Sequence, residues 1–133
     1  VPAIDQCHEQ VVRAFEKDGW TISAAPYRLQ HKLRLVYVDL AMSRQSNGSR
    51  ENLLCIEVKC FQDVERQTHD LYVAIGQYLI YQSLLTTLGL DIVLYLAVPK
   101  AAFDTVFDEI ATQVVNHSKI NLVVIDIEQE IVT

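Results

Sequence analysis

The chain has no basic excess, no long hydrophobic run and no glycine-rich loop, and each absence removes a class of function. Lys and Arg number 11 against 17 Asp and Glu, for a net charge of −6. A protein that coats nucleic acid has the opposite balance, because phosphate neutralisation supplies most of that affinity. Any action on DNA must come from a local basic strip, a bound metal or a partner. No apolar run approaches the roughly 18–20 residues that cross a bilayer, and the most apolar stretch, from Asp91 to Val98, has the length of a buried strand. No membrane partner is expected. The opening Val-Pro-Ala-Ile-Asp-Gln lacks the basic and apolar regions of a signal peptide, and the missing initiator Met points to a trimmed start. Cysteine is scarce: Cys7, Cys55 and Cys60 form an odd set without metal-type spacing. Reduced thiols in a cytoplasmic setting explain them better than disulfides do. No Gly-x-Ser-x-Gly elbow, phosphate-cradling loop or paired-Cys zinc pattern is present.

What remains is a chain of 133 residues, half of them hydrophobic, enough to build one domain over 1–133 around a real core. From Ile4 to Asp18 the apolar Cys7, Val11, Val12 and Phe15 recur at helical spacing, and Gly19 closes the segment. An extended piece is expected at Trp20–Ser23, then a turn at Ala25-Pro26. Leu33 to Ala41 alternates as one strand, with Leu35, Tyr37 and Asp39 on a shared face. Ser43 to Asn52, with Asn47-Gly48 at its centre, is a hairpin loop, and Leu53 to Phe61 returns as a strand. A polar linker leads to a long helix from about His69 to Leu88. Ile92–Val98 and Ile120–Asp126 are near-continuous apolar runs typical of strands covered on both faces, with a helix at Ala101–Val115 between them. The order α-β-β-β-α-β-α-β predicts an α/β fold, a mixed sheet flanked by helices, with right-handed parallel crossovers after an antiparallel hairpin.

The chemistry centres on Glu57-Val58-Lys59. Residues two apart on a strand point the same way, so Glu57 and Lys59 emerge together from an apolar strand. Such a pair is expensive there unless metal, substrate or partner satisfies it. Asp39 raises the same question on the preceding strand. If the hairpin pairs the two strands, Asp39 and Glu57 approach, and a hard divalent cation relieves their repulsion. Mg²⁺ (or Mn²⁺) would take oxygens from Asp39, Glu57 and the Val58 carbonyl. It would lower the pKa of a bound water, while Lys59 steadies charge developing on a phosphate oxygen. The tripeptide alone is weak evidence; its place on an apolar strand, one hairpin after a strand-borne Asp, adds weight. The competing reading is a strand-end salt bridge between Glu57 and Lys59, with Asp39 in a turn.

Three further positions bear on such a site. His8 shares the inward stripe of the first helix with Val11, Val12 and Phe15, and is either a base or outer ligand or a histidine with a backbone partner. Gln77 and Tyr81 are four apart on the long helix and therefore neighbours. Gln77 can bind a metal water or phosphate, or simply pack beside a core Tyr81. Lys100 follows a buried strand, where it either touches phosphate or stays solvated.

In this order, Asp39, Glu57-Val58-Lys59 and Gln77-x-x-x-Tyr81 resemble the PD-(D/E)xK nuclease superfamily, the last element being like the Gln-x-x-x-Tyr motif of its RecB-type branch. The resemblance implies a restriction-endonuclease-like core. Val38 stands where that signature has Pro, and His8 where many members carry a first-helix Glu, which removes one metal or water ligand. More narrowly, the chain resembles the XisH family, the fdxN element excision controlling factors of cyanobacteria. The matching stretches are Asp5-x-x-His8-x-x-Val11, Lys17-Asp18-Gly19-Trp20-Thr21-Ile22, Pro26-Tyr27, Tyr37-Val38-Asp39-Leu40, Ile56-Glu57-Val58-Lys59, Ala74-x-Gly76-Gln77-Tyr78-x-x-Tyr81 and Leu94-Tyr95-Leu96-Ala97-Val98-Pro99-Lys100. This resemblance implies a role in programmed excision of a DNA element, beside a site-specific recombinase and a companion excision factor. Two functions fit, a metal-dependent endonuclease or a non-cleaving regulatory module that keeps the nuclease fold and binds DNA or recombinase; a blander third is a subunit whose exposed sheet edge pairs with another chain, its site vestigial. By analogy with paired nuclease domains, a homodimer is compatible with either.

Overall fold

The computed structural model describes residues 6–45 and 51–133. In chain order the elements are α1 (His8–Lys17), β1 (Thr21–Ala24), β2 (Tyr27–His31), β3 (Arg34–Val38), β4 (Leu40–Gln45), β5 (Glu51–Val58), a 3₁₀ turn (Val64–Arg66), α2 (Gln67–Thr87), β6 (Val93–Pro99), α3 (Lys100–Val106), α4 (Glu109–His117), β7 (Leu122–Asp126) and β8 (Ile131–Val132). Six strands form one mixed sheet in the order β1-β4-β5-β6-β7-β8, and β2-β3 form a separate two-stranded ribbon. The β5–β6 and β6–β7 pairs are parallel, each joined by a helical crossover, while the β4–β5 pair is antiparallel. Among the described residues no helix is long and apolar enough to cross a membrane.

A core lies on each side of this sheet. Alternation along β5 sends Cys55 into the cluster with Tyr78, Tyr81 and Leu85 of α2, and Ile56 and Val58 into the cluster with Val11, Ala14 and Phe15 of α1. By the same period Glu57 faces the α2 side. Tyr78 fastens that helix. Its hydroxyl donates to the Leu94 carbonyl at 3.0 Å and accepts the Asn121 N–H at 3.1 Å, tying α2 to β6 and to the start of β7.

The α/β architecture and the mixed sheet with flanking helices match the sequence expectation; several boundaries do not. The run Leu33–Ala41 is two strands, not one, because the chain bends at Asp39 and passes from ribbon to main sheet. Both halves alternate with similar apolar content and no Gly or Pro marks the bend, so the pattern hides it. The strands β2 and β8 were not anticipated. Strand β4 runs on to Gln45, and Asn47-Gly48 lies outside the described residues. The expected helix at Ala101–Val115 is two. Asp108 starts the second, its side chain accepting the Ala111 N–H at 3.0 Å, a capping bond that favours a new helix start over continuation.

The cysteines also depart from expectation. Cys7 and Cys60 form a disulfide across 53 residues, with their Cα atoms 5.9 Å apart, inside the range a disulfide requires. Sequence spacing carries no trace of it, because the contact exists only once α1 packs across the exit of β5. Cys55 stays a thiol, and burial pushes its pKa up to about 12, which makes it inert.

Candidate active site

The site is made where the sheet changes partners. Leu40 pairs with Ile56 in the β4–β5 ladder, so Asp39 falls beside Glu57, one step past the ladder's end. With β3 diverted into the ribbon, the Asp39 N–H has no strand to serve and donates to Glu57 Oε1 at 3.2 Å. In return the Val58 N–H donates to Asp39 Oδ2 at 2.8 Å. Two hydrogen bonds therefore replace one rung of sheet and fix two carboxylates against each other. Glu57 is 5% exposed, the one charged residue among the buried described positions. Burying a carboxylate next to another strongly disfavours double ionisation unless positive charge or hydrogen-bond donors compensate.

Tyr81 stands over this pair from α2. Its phenol is pushed well above the usual range, first by burial and then by the negative charges of Glu57 and Asp39. It therefore stays protonated beside them and retains a donor. Gln77 lies one turn earlier on α2, and its Oε1 is buried without a hydrogen-bond partner. Lys59 follows β5, held by its N–H to the Ala97 carbonyl at 3.0 Å. It is half-buried and lines a recess with Phe61, Gln62, Asp63, Arg66 and Asp70.

His8 belongs to the other side of the sheet, on the helix that packs with Ile56 and Val58. Its Nδ1 is buried and lacks a hydrogen-bond partner. The preceding residue, Cys7, is bonded to Cys60, the residue after Lys59, which pins the start of α1 to the strand exit. Lys100 is not brought to the carboxylates. It is exposed, pairs with Asp104 at 3.3 Å and lines a different recess with Asp126 and Glu128. Sequence reasoning missed Arg66, which joins Lys59 only through the 3₁₀ turn before α2, and the disulfide behind His8.

The donor set suits a hard cation. Asp39, Glu57 and the Val58 carbonyl offer oxygen only, and the orphaned Gln77 Oε1 is one more buried acceptor lacking a donor, such as a metal-bound water. Among the described residues no group of three or more His, Cys, Asp or Glu could hold a metal. That is compatible with Mg²⁺, which commonly binds through one or two carboxylates and keeps several waters.

With this geometry in view, comparison with known proteins adds a second line. The XisH protein family is matched over residues 1–133. The chain belongs to the XisH family. The fold of an XisH family protein from Nostoc punctiforme PCC 73102 superposes with a TM-score of 0.87 and 27% identity, covering 97% of each chain. A fdxN element excision controlling factor protein from Anabaena variabilis gives a TM-score of 0.84 and 28% identity, covering 95% of this chain and 94% of that one. None of the curated proteins compared with the chain matches it. The family resemblance seen in the sequence is therefore sound, with the family's fold carried end to end.

Proposed function

We propose that this XisH protein takes part in controlled excision of a DNA element, and that it does so through a metal-dependent, nuclease-like site acting on DNA phosphodiesters. The fdxN excision role named for the Anabaena variabilis relative supports the first half. The second half rests on one observation: the reciprocal bonds that hold Asp39 against Glu57 and Val58 at the end of the apolar run Leu53–Ile56. On this reading the core is a restriction-endonuclease-like domain spanning 1–133.

Asp39, Glu57 and the Val58 carbonyl would hold Mg²⁺ or Mn²⁺. When bound, the ion supplies positive charge at a phosphate oxygen and acidifies a bound water. The chain's own groups do the rest. Lys59, as the adjacent cation, orients the attacking water and stabilises charge developing on the phosphate. Gln77 Oε1 accepts from a water and so orients it. Tyr81, kept protonated, donates toward the carboxylates and holds their geometry. His8, on the α1 side of the sheet, is no base at the carboxylates on this geometry and supports the site only through the start of α1, which the Cys7–Cys60 bridge pins to the exit of β5.

A second reading, a non-cleaving module that keeps the fold, is favoured by two observations. His8 stands where a first-helix carboxylate is common in the nuclease superfamily, and no third acid joins the pair among the described residues. The decisive assay incubates plasmid and branched DNA with Mg²⁺ or Mn²⁺, beside Glu57→Ala and Lys59→Ala. Metal-dependent cutting lost in both variants supports the nuclease. No cutting by the parent protein, with both variants still supporting excision in cells, leaves the non-cleaving module.

A further inference from the structure

The acidic chain keeps its positive charge in a telling place. Between Asp18 and Asp39 there is no acid at all, yet Arg28, Lys32 and Arg34 fall within that stretch. The structure folds them into the β2–β3 ribbon, which pairs Tyr27 with Val38 at its base and His31 with Arg34 at its tip. All three side chains are exposed, and none forms an ion pair among the described residues. By contrast Arg13, Lys17, Arg44 and Lys100 each pair with an acid.

Leu29, Val36 and Val38 turn inward onto the α2 core, and the strand period sends Arg28, Gln30, Leu35 and Tyr37 outward. Arg34 shares the inward period but sits at the tip, exposed at the rim of a recess that it lines with His31 and the last turns of α2. Arg28 donates to Gln30, and Gln30 Nε2 to the Lys32 carbonyl at 3.3 Å, which orders the polar side of the tip. Lys32 has a φ of 54°, a turn position that ordinarily favours Gly or Asn. Beside it Leu33 is 100% exposed. The tip therefore shows a bare leucine between two cations, on a ribbon whose base runs directly into Asp39.

We infer that the tip of the β2–β3 ribbon forms the DNA-docking arm of this protein, inserting into a groove of duplex DNA with Leu33 against the groove, Lys32 at the turn, and Arg28 and Arg34, on opposite faces of the ribbon, reaching phosphates on either side. This rests on the phosphodiester reading above and supplies the local basic strip that the net charge demands. Charge and size both fit. A major groove admits a two-stranded ribbon, and exposed apolar side chains between cations are the tools with which proteins wedge grooves. Five residue pairs span roughly 17 Å, so the tip contacts the duplex about half a helical turn from a phosphate held at Asp39 and Glu57.

The test measures binding apart from cutting. A fluorescent duplex of about two helical turns is titrated in EDTA across a range of salt. The proteins are the parent, Arg28→Gln/Lys32→Gln/Arg34→Gln, Leu33→Ala, and Lys119→Gln as an exposed cation away from the ribbon. Losing three phosphate contacts weakens binding about 10- to 100-fold near 0.1 M salt and flattens the log K against log salt slope by about 3. Leu33→Ala weakens binding severalfold with the slope kept, and Lys119→Gln leaves both unchanged. Circular dichroism melts identical to the parent's show that the exposed substitutions leave the fold intact. The proposal is overturned if the triple variant binds with the parent's affinity and slope, if the parent does not bind duplex, or if polyglutamate binds as tightly as duplex, which would assign the arm to an acidic protein. Cutting that needs Glu57, together with an inert triple substitution, sinks the arm alone. Ribbon-dependent binding by a parent that never cuts sinks the nuclease alone.

Discussion

Glu57 and Glu130 show two ways to keep a carboxylate in one fold. Glu130, at the turn into β8, is partly exposed and held by Arg13 at 2.6 Å and Lys17 at 3.8 Å. Its pKa is drawn down, mainly by the hydrogen bond from Arg13. Glu57 is withdrawn from water, placed beside a second acid and bonded to a backbone N–H. The first arrangement is ordinary surface chemistry, in which solvent screens the charges and little depends on any one of them. The second opposes the preference of a low-dielectric interior for neutrality, so it needs a compensating reason to persist. The difference teaches where to look for function: in the acid whose position folding alone would not choose.

The largest effect should come from breaking the expensive side of this contrast while sparing the fold. Asp39→Asn and Glu57→Gln keep shape and hydrogen-bonding capacity but remove charge. Any metal-dependent cleavage should drop on the order of 100- to 1000-fold, and the single divalent site seen by calorimetric titration should vanish. Stability should hold or rise by up to about 1 kcal/mol, because a like-charge contact is relieved. A urea melt showing a loss of several kcal/mol would mean that the pair is structural cement instead. The opposite pattern is expected of Glu130→Gln, with cleavage untouched.

Helix α1 joins the two regions. Its start is bonded through Cys7 to the residue after Lys59, and its later turns reach Glu130 through Arg13 and Lys17. A next-largest effect should follow from opening the covalent end. Reduction, or the double change Cys7→Ser/Cys60→Ser, should cost about 2–4 kcal/mol of unfolding free energy, since the bridge closes a long loop in the unfolded chain. Urea melts with and without a dithiol reductant measure it. If His8 serves the site, cleavage should fall in parallel under conditions where the reduced protein is still folded. Cleavage unchanged by reduction would separate His8 from the chemistry.

How much of this was legible beforehand depends on the range of the interaction that decides each feature. The period-two pattern of Leu53–Val58 and the helical spacing of Val11, Val12 and Phe15 are local, and they survive into β5 and α1. The convergence of Asp39 with Glu57 was also readable, because a short hairpin brings consecutive strands together. Its mechanism was not, since the bend that frees the Asp39 N–H carries no turn residue and the sequence around it alternates without a break. The disulfide, the clasp at Glu130 and the recess shared by Lys59 and Arg66 join residues distant in sequence or set by a helix start. The ribbon had a signal that composition could have caught, an acid-free stretch between Asp18 and Asp39, masked by the chain's overall negative charge.

The smallest effect belongs to the cheap side of the contrast, and its sign can be fixed in advance. Glu130 titrates below its ordinary range when folded, so its contribution to stability is present above the unfolded carboxylate value and is lost as pH falls through the lowered one. Melting temperatures of the parent and Glu130→Gln should therefore differ slightly near neutral pH and converge in acid. Added salt should narrow the neutral-pH gap, as solvent-exposed pairs are screened. The ion-pair cluster ties α1 to the last strand through the Lys17 bond to the Gln129 carbonyl as well, and that bond does not titrate with Glu130. A residual gap that persists in strong acid would show that the substitution disturbs the β7–β8 turn itself, and not the charge alone.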